Sequence, residues 1–216
     1  MIWLTDKIEF PDYSYSTESG ILALGGSLSV ERLVYAYKNG IFPWYSEGEP
    51  IVWYCPLERM VLYPNDLKIS KSMQNLLKKN PFTITENKNF EEVIYNCKSI
   101  DRNDGLGTWI TNDMEQAYIN LHKKGIAKSI EVWSFSVKTQ KKELIGGLYG
   151  VEVNGVFCGE SMFSKVSNAS KFAFIHLVQS SNYRLIDCQV YNAHLATLGA
   201  KEIERTEFLK ILKSQI

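Results

Sequence analysis

Leu185-Ile186-Asp187-Cys188-Gln189-Val190-Tyr191-Asn192 sets a carboxylate and a carboxamide two residues apart inside an apolar run of strand-like composition. Ahead of it, the pattern predicts a strand from Gly155 to Phe163 and a helix from about Asn168 to Ser180. Strand, helix, strand in that order points to a crossover flanking a mixed sheet. Side chains alternate along a strand, so Asp187 and Gln189 are expected on one sheet face. Two such groups are costly to bury unless they pair within the fold or open onto a site where another molecule completes their hydrogen bonds. The run by itself supports either reading.

Outward from the crossover, Ile130 to Phe135 and Leu144 to Glu152 also read as strands, and Asn154-Gly155 as a type I′ turn into the Gly155 strand. Apolar spacing predicts helices from Ser70 (Met73, Leu76, Leu77), from Asn89 (Val93, Ile94) and from Thr111 (Met114, Ala117, Tyr118, Leu121), the last stopping at Gly125. A short helical stretch runs to Leu198. Nearer the start, Ser29 can cap a helix through Tyr37 with Gly40 as its stop and Leu33, Ala36 and Tyr37 as its inner stripe. Four of the six prolines lie between Gly40 and Pro64, which places a domain boundary near the end of that stretch. The expected division is a small N-terminal domain, 1–62, and a mixed α/β domain, 63–216.

With 216 residues, 45% of them hydrophobic, the chain is long enough for a well-buried core. No run approaches the ~18 apolar residues of a membrane span. Met1-Ile2-Trp3-Leu4-Thr5-Asp6 lacks the charged and apolar regions of a signal peptide. A cytoplasmic protein without membrane contact is therefore expected. Cys55, Cys97, Cys158 and Cys188 show no Cys-x-x-Cys spacing, and His122, His176 and His194 do not group with them, so neither disulfides nor a metal is expected. A formal charge of zero argues against coating nucleic acid by bulk electrostatics, and any RNA contact should be local.

Four blocks carry more specific information: Gly40-Ile41-Phe42-Pro43-Trp44-Tyr45; Gly107-Thr108-Trp109-Ile110-Thr111; Phe157-Cys158-Gly159-Glu160-Ser161-Met162-Phe163-Ser164; and Ile186-Asp187-Cys188-Gln189-Val190 with Asn192, His194 and Leu198-Gly199-Ala200. In that order they resemble the leucyl/phenylalanyl-tRNA-protein transferases, over about Gly20 to Phe208. The resemblance implies a small N-terminal domain joined to a C-terminal domain of the acetyltransferase-like (GNAT-like) fold. It implies transfer of leucine or phenylalanine from aminoacyl-tRNA to proteins whose N-terminus is Arg or Lys, with no metal or soluble cofactor, and methionine as a further aminoacyl group. The product's degradation through a partner that recognises N-terminal Leu or Phe is implied by resemblance alone. Around Phe172, Phe174 and Leu177 the sequence departs from the family's aromatic-rich helix wall, and it ends soon after Phe208, Leu209 and Ile211, sooner than the fuller family pattern.

Residue chemistry can be set beside that resemblance. An aminoacyl ester is already activated, and an α-amine of pKa ~7.7 to 8.0 is roughly one-tenth neutral at pH 7, so neutralising it costs about 1.4 kcal/mol. Gln189 is too weak a base to take a proton, but its carbonyl can accept a hydrogen bond from the amine and aim it. Asp187 can orient Gln189 or favour the positive charge growing on the attacking nitrogen, with a proton relay as a further possibility. Glu160 suits an acceptor whose first side chain is basic; the alternative is an ion pair, for instance with Lys171. By resemblance Leu148 and Phe157 line an apolar aminoacyl pocket, where ordinary core packing is the alternative. Trp44 and Trp109 sit in loops, where flat rings can stack on a terminal adenine or simply plug a core. Ser161 and Asn168 can contact the ester or terminal nucleotide, or act as caps. Arg59, Lys68, Lys71, Lys78, Lys79, Lys123, Lys124 and Lys128 can supply phosphate contacts.

Two other classes fit the mixed sheet: an acyl-CoA N-acyltransferase and a noncatalytic module binding an RNA end or an N-terminus. Ser164 to Lys171 contains no glycine, which argues against the glycine-rich turn that would cradle a pyrophosphate.

Overall fold

A computed structural model describes residues 1–100 and 109–214, so Gly107 and Thr108 of the second sequence block lie outside the described residues. In chain order the strands are β1 (Trp3–Leu4), β2 (Ile21–Gly25), β3 (Phe42–Pro43), β4 (Val52–Tyr54), β5 (Glu58–Leu62), β6 (Thr83–Glu86), β7 (Ala127–Ser136), β8 (Lys141–Val153), β9 (Val156–Ser164), β10 (Leu185–Gln189) and β11 (Lys201–Glu204). The helices are α1 (Val30–Lys38), α2 (Lys71–Lys79), α3 (Phe90–Ser99), α4 (Asn112–Lys123), α5 (Ala169–Ser180), α6 (Ala193–Thr197) and α7 (Arg205–Lys213).

Local signals place most of the helices. The Ser29, Ser70 and Thr111 side chains accept from the backbone N–H groups of Arg32, Met73 and Met114, satisfying donors that the first helical turn leaves unpaired. Asn89 holds the N-cap position of α3 without a side-chain cap bond. Buried Glu131 on β7 serves there instead, accepting from the N–H groups of Lys88 and Asn89. No described helix is long and apolar enough to cross a membrane.

Two sheets form, a small one in the order β1-β2-β4-β3 and a large one in the order β11-β5-β10-β9-β8-β7-β6. Asn154 and Gly155 join β8 to β9 with φ of 49° and 70°, the positive values a type I′ turn requires. From β9 the chain crosses over through α5 and returns as β10, parallel to β9; the other neighbouring pairs of the large sheet are antiparallel. This is the mixed sheet expected from the crossover. β5, assigned by sequence to the N-terminal part, is an inner strand of the large sheet between β11 and β10. The sheets therefore divide between Tyr54 and Glu58, ahead of Pro64, because the prolines mark connections and Pro64 only starts a short turn after β5. One apolar cluster unites Leu22, Tyr37 and Trp53 with Val93, Tyr118 and Tyr149. On the opposite face Met60, Ile130, Leu148 and Phe157 pack against Phe172, Phe174 and Leu177 of α5.

Three bulges interrupt the large sheet. One leaves Ile145 of β8 as the extra residue opposite β7, between the Gly146–Val132 and Leu144–Trp133 pairs. Along β9, Ser161 faces Tyr149 and Gly159 faces Gly150, leaving Glu160 as the extra residue. Along β10, Asp187 faces Val61 and Gln189 faces Met60, leaving Cys188 as the extra residue, and Gln189 takes a left-handed φ of 64°. Parallel pairing of β9 with β10 stops at Cys158 and Asp187. Beyond that point the ladder no longer joins the two strands.

Candidate active site

Where the β9–β10 ladder ends, a cavity of about 970 Å³ opens beside the carboxyl ends of both strands. That is where open α/β sheets place ligands. Its apolar wall comprises Leu148, Phe157, Phe174, Leu177 and Ile186. Trp44, Tyr54 and Trp109 also line it, with the Trp44 ring 5.7 Å from that of Tyr54 and 39% exposed. Glu160, Asp187 and Gln189 are its buried polar lining residues.

Because the β9 bulge re-aims Glu160, its carboxylate meets three side chains from distant elements. Tyr37 Oη lies 2.7 Å from Oε1, Tyr118 Oη lies 2.9 Å from Oε2, and Gln189 Nε2 donates to Oε1 at 2.8 Å. The two phenol oxygens are themselves 2.5 Å apart. Burial pushes the Glu160 carboxyl up to about 7, with the tyrosine hydroxyls opposing the rise. Burial also raises both phenols well above their ordinary value, keeping them protonated. Lys171 is not among the partners of Glu160, so the expected alternative of an ion pair with it does not form.

Asp187 is fully buried, and its surroundings correct two expectations. Arg59, only 2% exposed, donates to it through Nε at 2.8 Å and Nη2 at 2.7 Å, while Nη1 donates to the Gly40 carbonyl at 3.0 Å. The guanidinium lies between the rings of Phe42 and Phe208, 4.6 Å from each centroid. Arg59 is thus no phosphate contact: its fork is committed to a carboxylate inside the core. Asp187 also does not align with the Gln189 side chain by simple alternation. The Cys188 bulge breaks the period, and Asp187 instead accepts from the Gln189 backbone N–H at 2.9 Å. This bond holds the left-handed turn that aims the carboxamide at Glu160.

Of the other residues singled out by sequence, Trp44, Trp109, Leu148, Phe157 and Ser161 line the cavity. Asn168 lies outside that lining; it sits at the N-cap position of α5 with φ 68° and makes no side-chain cap bond. Lys68, Lys71, Lys78, Lys79, Lys123 and Lys124 are exposed, Lys128 is half-buried, and none of them lines the cavity. Phe174 and Leu177 complete the wall at the place where the sequence departs from the family pattern.

Sequence reasoning missed the roles of Tyr37, Tyr118 and Arg59. Tyr37 and Tyr118 fall on the inner stripes of their helices, and the signal available is that a buried phenol needs a hydrogen-bond partner. Cys188 and His194 also line the cavity, and burial holds His194 below its ordinary pKa.

Comparison with known proteins extends the resemblance in its own terms. A family model described as "Leucyl/phenylalanyl-tRNA protein transferase" matches residues 61–213, and one for that family's N-terminal domain matches residues 26–57. The leucyl/phenylalanyl-tRNA–protein transferase of Flavobacterium johnsoniae is 56% identical, with all of both chains covered. That of Flavobacterium psychrophilum is 54% identical over 99% of this chain and all of its own. Among solved structures, FemX superposes with a TM-score of 0.51 over 81% of this chain and 66% of its own at 10% identity, a likeness of fold alone. Matches across both the small sheet and the cavity-bearing sheet, at more than half identity over the full length, show that this chain belongs to the leucyl/phenylalanyl-tRNA–protein transferase family.

Proposed function

We propose that this transferase moves leucine or phenylalanine, and also methionine, from aminoacyl-tRNA to the α-amine of proteins that begin with Arg or Lys. The observation that carries this reading is the placement of an apolar wall and the buried polar residues Glu160, Gln189 and Asp187 in one cavity. Leu148, Phe157, Phe174, Leu177 and Ile186 suit an apolar or aromatic side chain that is not branched at Cβ. Trp44 and Trp109 suit stacking on the terminal adenine. Exposed lysines outside the cavity suit the acceptor-stem phosphates.

In this reading the amine nitrogen attacks the ester carbon, the bond to the ribose oxygen breaks, and the amine proton leaves with that oxygen. Gln189 aims the amine through its carbonyl, whose Nε2 partner on Glu160 fixes the direction of the carboxamide. Glu160 selects the basic acceptor side chain. Asp187 works through the backbone of Gln189, its charge being compensated by Arg59. The product, carrying Leu or Phe at its N-terminus, is marked for degradation in the cytoplasm.

Transfer of labelled leucine from tRNA to matched peptides starting with Arg, Lys or Ala tests the reading. Arg and Lys peptides are expected to be labelled and the Ala peptide not, with Gln189→Ala losing at least tenfold in kcat. Equal labelling of all three peptides would remove Glu160 from acceptor selection.

A further inference from the structure

Three oxygen–oxygen contacts close a ring at the buried end of the cavity: Tyr37 to Tyr118 at 2.5 Å, Tyr37 to Glu160 Oε1 at 2.7 Å and Tyr118 to Glu160 Oε2 at 2.9 Å. Each contact needs a proton between its oxygens, since otherwise two lone pairs face each other at hydrogen-bond distance. The phenols bring one proton each. With Glu160 ionised, both go to the carboxylate and the Tyr37–Tyr118 contact is left with none. With Glu160 neutral the count closes: Oε2–H donates to Tyr118, Tyr118 to Tyr37, and Tyr37 to Oε1. Oε1 then remains the carbonyl oxygen that also accepts from Gln189 Nε2.

Few titratable or charged groups face this carboxyl. They are Tyr37 from α1, Tyr118 from α4, Cys158 from β9, Asp187 from β10 and Arg59 from β5, the last two joined as an ion pair. A lone carboxylate beside the apolar wall would be expensive. A neutral acid lets the same cavity hold an uncharged Leu or Phe side chain.

We propose that the free enzyme keeps Glu160 as a neutral acid within this ring, and that entry of a cationic Arg or Lys side chain ionises it, releasing the carboxyl proton to solvent. Tyr37 and Tyr118 are then positioning residues for acceptor selection, because they shape the proton balance of the group that meets the cation. The proposal rests on the acceptor reading above and deepens it. The sign follows directly. Below the carboxyl midpoint of about 7 the cation must expel a proton to bind, so acceptor affinity rises with pH through that midpoint and then levels.

Calorimetry of an Arg-starting peptide binding near pH 6.5, in buffers of different ionisation enthalpy, counts the protons released. Any contribution from the peptide α-amine is common to the native enzyme and Glu160→Gln, so their difference isolates Glu160. The native enzyme is expected to release most of one proton more. Infrared spectroscopy of the free protein with isotope-labelled glutamate provides a second readout that needs no substrate. A carboxylic acid stretch lost in Glu160→Gln should be present near pH 6 and gone near pH 8.5. Tyr37→Phe, which removes a donor to the ionised form, should move that titration upward. Equal proton release by the two proteins, or a free protein without the Glu160 acid stretch near pH 6, overturns the proposal. Failure to label Arg peptides would instead overturn the acceptor reading and leave the infrared result standing.

Discussion

Asp187 accepts two hydrogen bonds from Arg59 and one from the backbone of Gln189, so its charge is already compensated before any substrate arrives. That geometry separates holding Gln189 in place from taking part in the chemistry. Arg59→Met leaves a buried carboxylate without its counter-charge, which costs about 3–5 kcal/mol. Urea unfolding is expected to register a loss of that size. Adding Asp187→Leu removes the orphaned charge and should restore much of the stability. Transfer activity should stay depressed in the double variant, since nothing then holds the left-handed backbone at Gln189. Recovery of native transfer along with stability would reduce the Arg59–Asp187 pair to scaffolding.

At the scale of elements, the site depends on two places where a strand carries one residue too many. The β9 bulge turns Glu160 into the cavity, and the facing strand accommodates it through Gly150. A Cβ there would lie 2.3 Å from the Cys158 carbonyl oxygen and 2.6 Å from the Phe157 ring. Gly150→Ala should therefore strain the β8–β9 pairing and lower stability by about 1–3 kcal/mol, the usual range for overpacking. Thermal melts check this, and an unchanged melting temperature would mean that the bulge has slack. Helices were legible where a cap and an apolar stripe coincided, as at Ser29, Ser70 and Thr111. Strands β1 and β3, of two residues each, were too short to show a period. β11 reads as Lys-Glu-Ile-Glu, a charged sheet edge whose polarity hides a strand. The bulges were invisible for another reason: an inserted residue changes which face the next one meets, yet leaves composition and local propensity untouched.

For the whole molecule, the cavity gathers Trp44 from beyond β3, Trp109 from before α4, Glu160 from β9 and Gln189 from the end of β10. The small sheet and the loop after β3 contribute aromatic side chains, Tyr54 and Trp44, to a site whose buried polar groups come from the large sheet. Removing Trp44 or Trp109 should act on one substrate only. Base–aromatic stacking is worth about 1–3 kcal/mol per base, or roughly 5- to 150-fold in affinity. Trp44→Ala and Trp109→Ala are each expected to raise KM for leucyl-tRNA within that range while leaving KM for an Arg peptide close to native. Steady-state kinetics with each substrate varied in turn decides the matter, and equal rises for both substrates would argue for collapse of the cavity.

The mixed sheet, the crossover through α5, most helix starts and the ordered motif blocks that identify the family are legible in the chain alone, because these rest on local propensity and short-range spacing. The chain also points to Asp187 and Gln189, since polar groups in an apolar strand demand partners, and through the family resemblance to Glu160. Who those partners are depends on how the folded chain brings distant strands and helices together. Arg59 changed from a candidate phosphate contact to the buried counter-charge of Asp187, and Tyr37 and Tyr118 changed from core aromatics to the ligands of Glu160. Those pairings join residues tens to more than a hundred positions apart, and two single-residue bulges set their register. Distance in the chain and a one-residue shift of face are what no local pattern encodes.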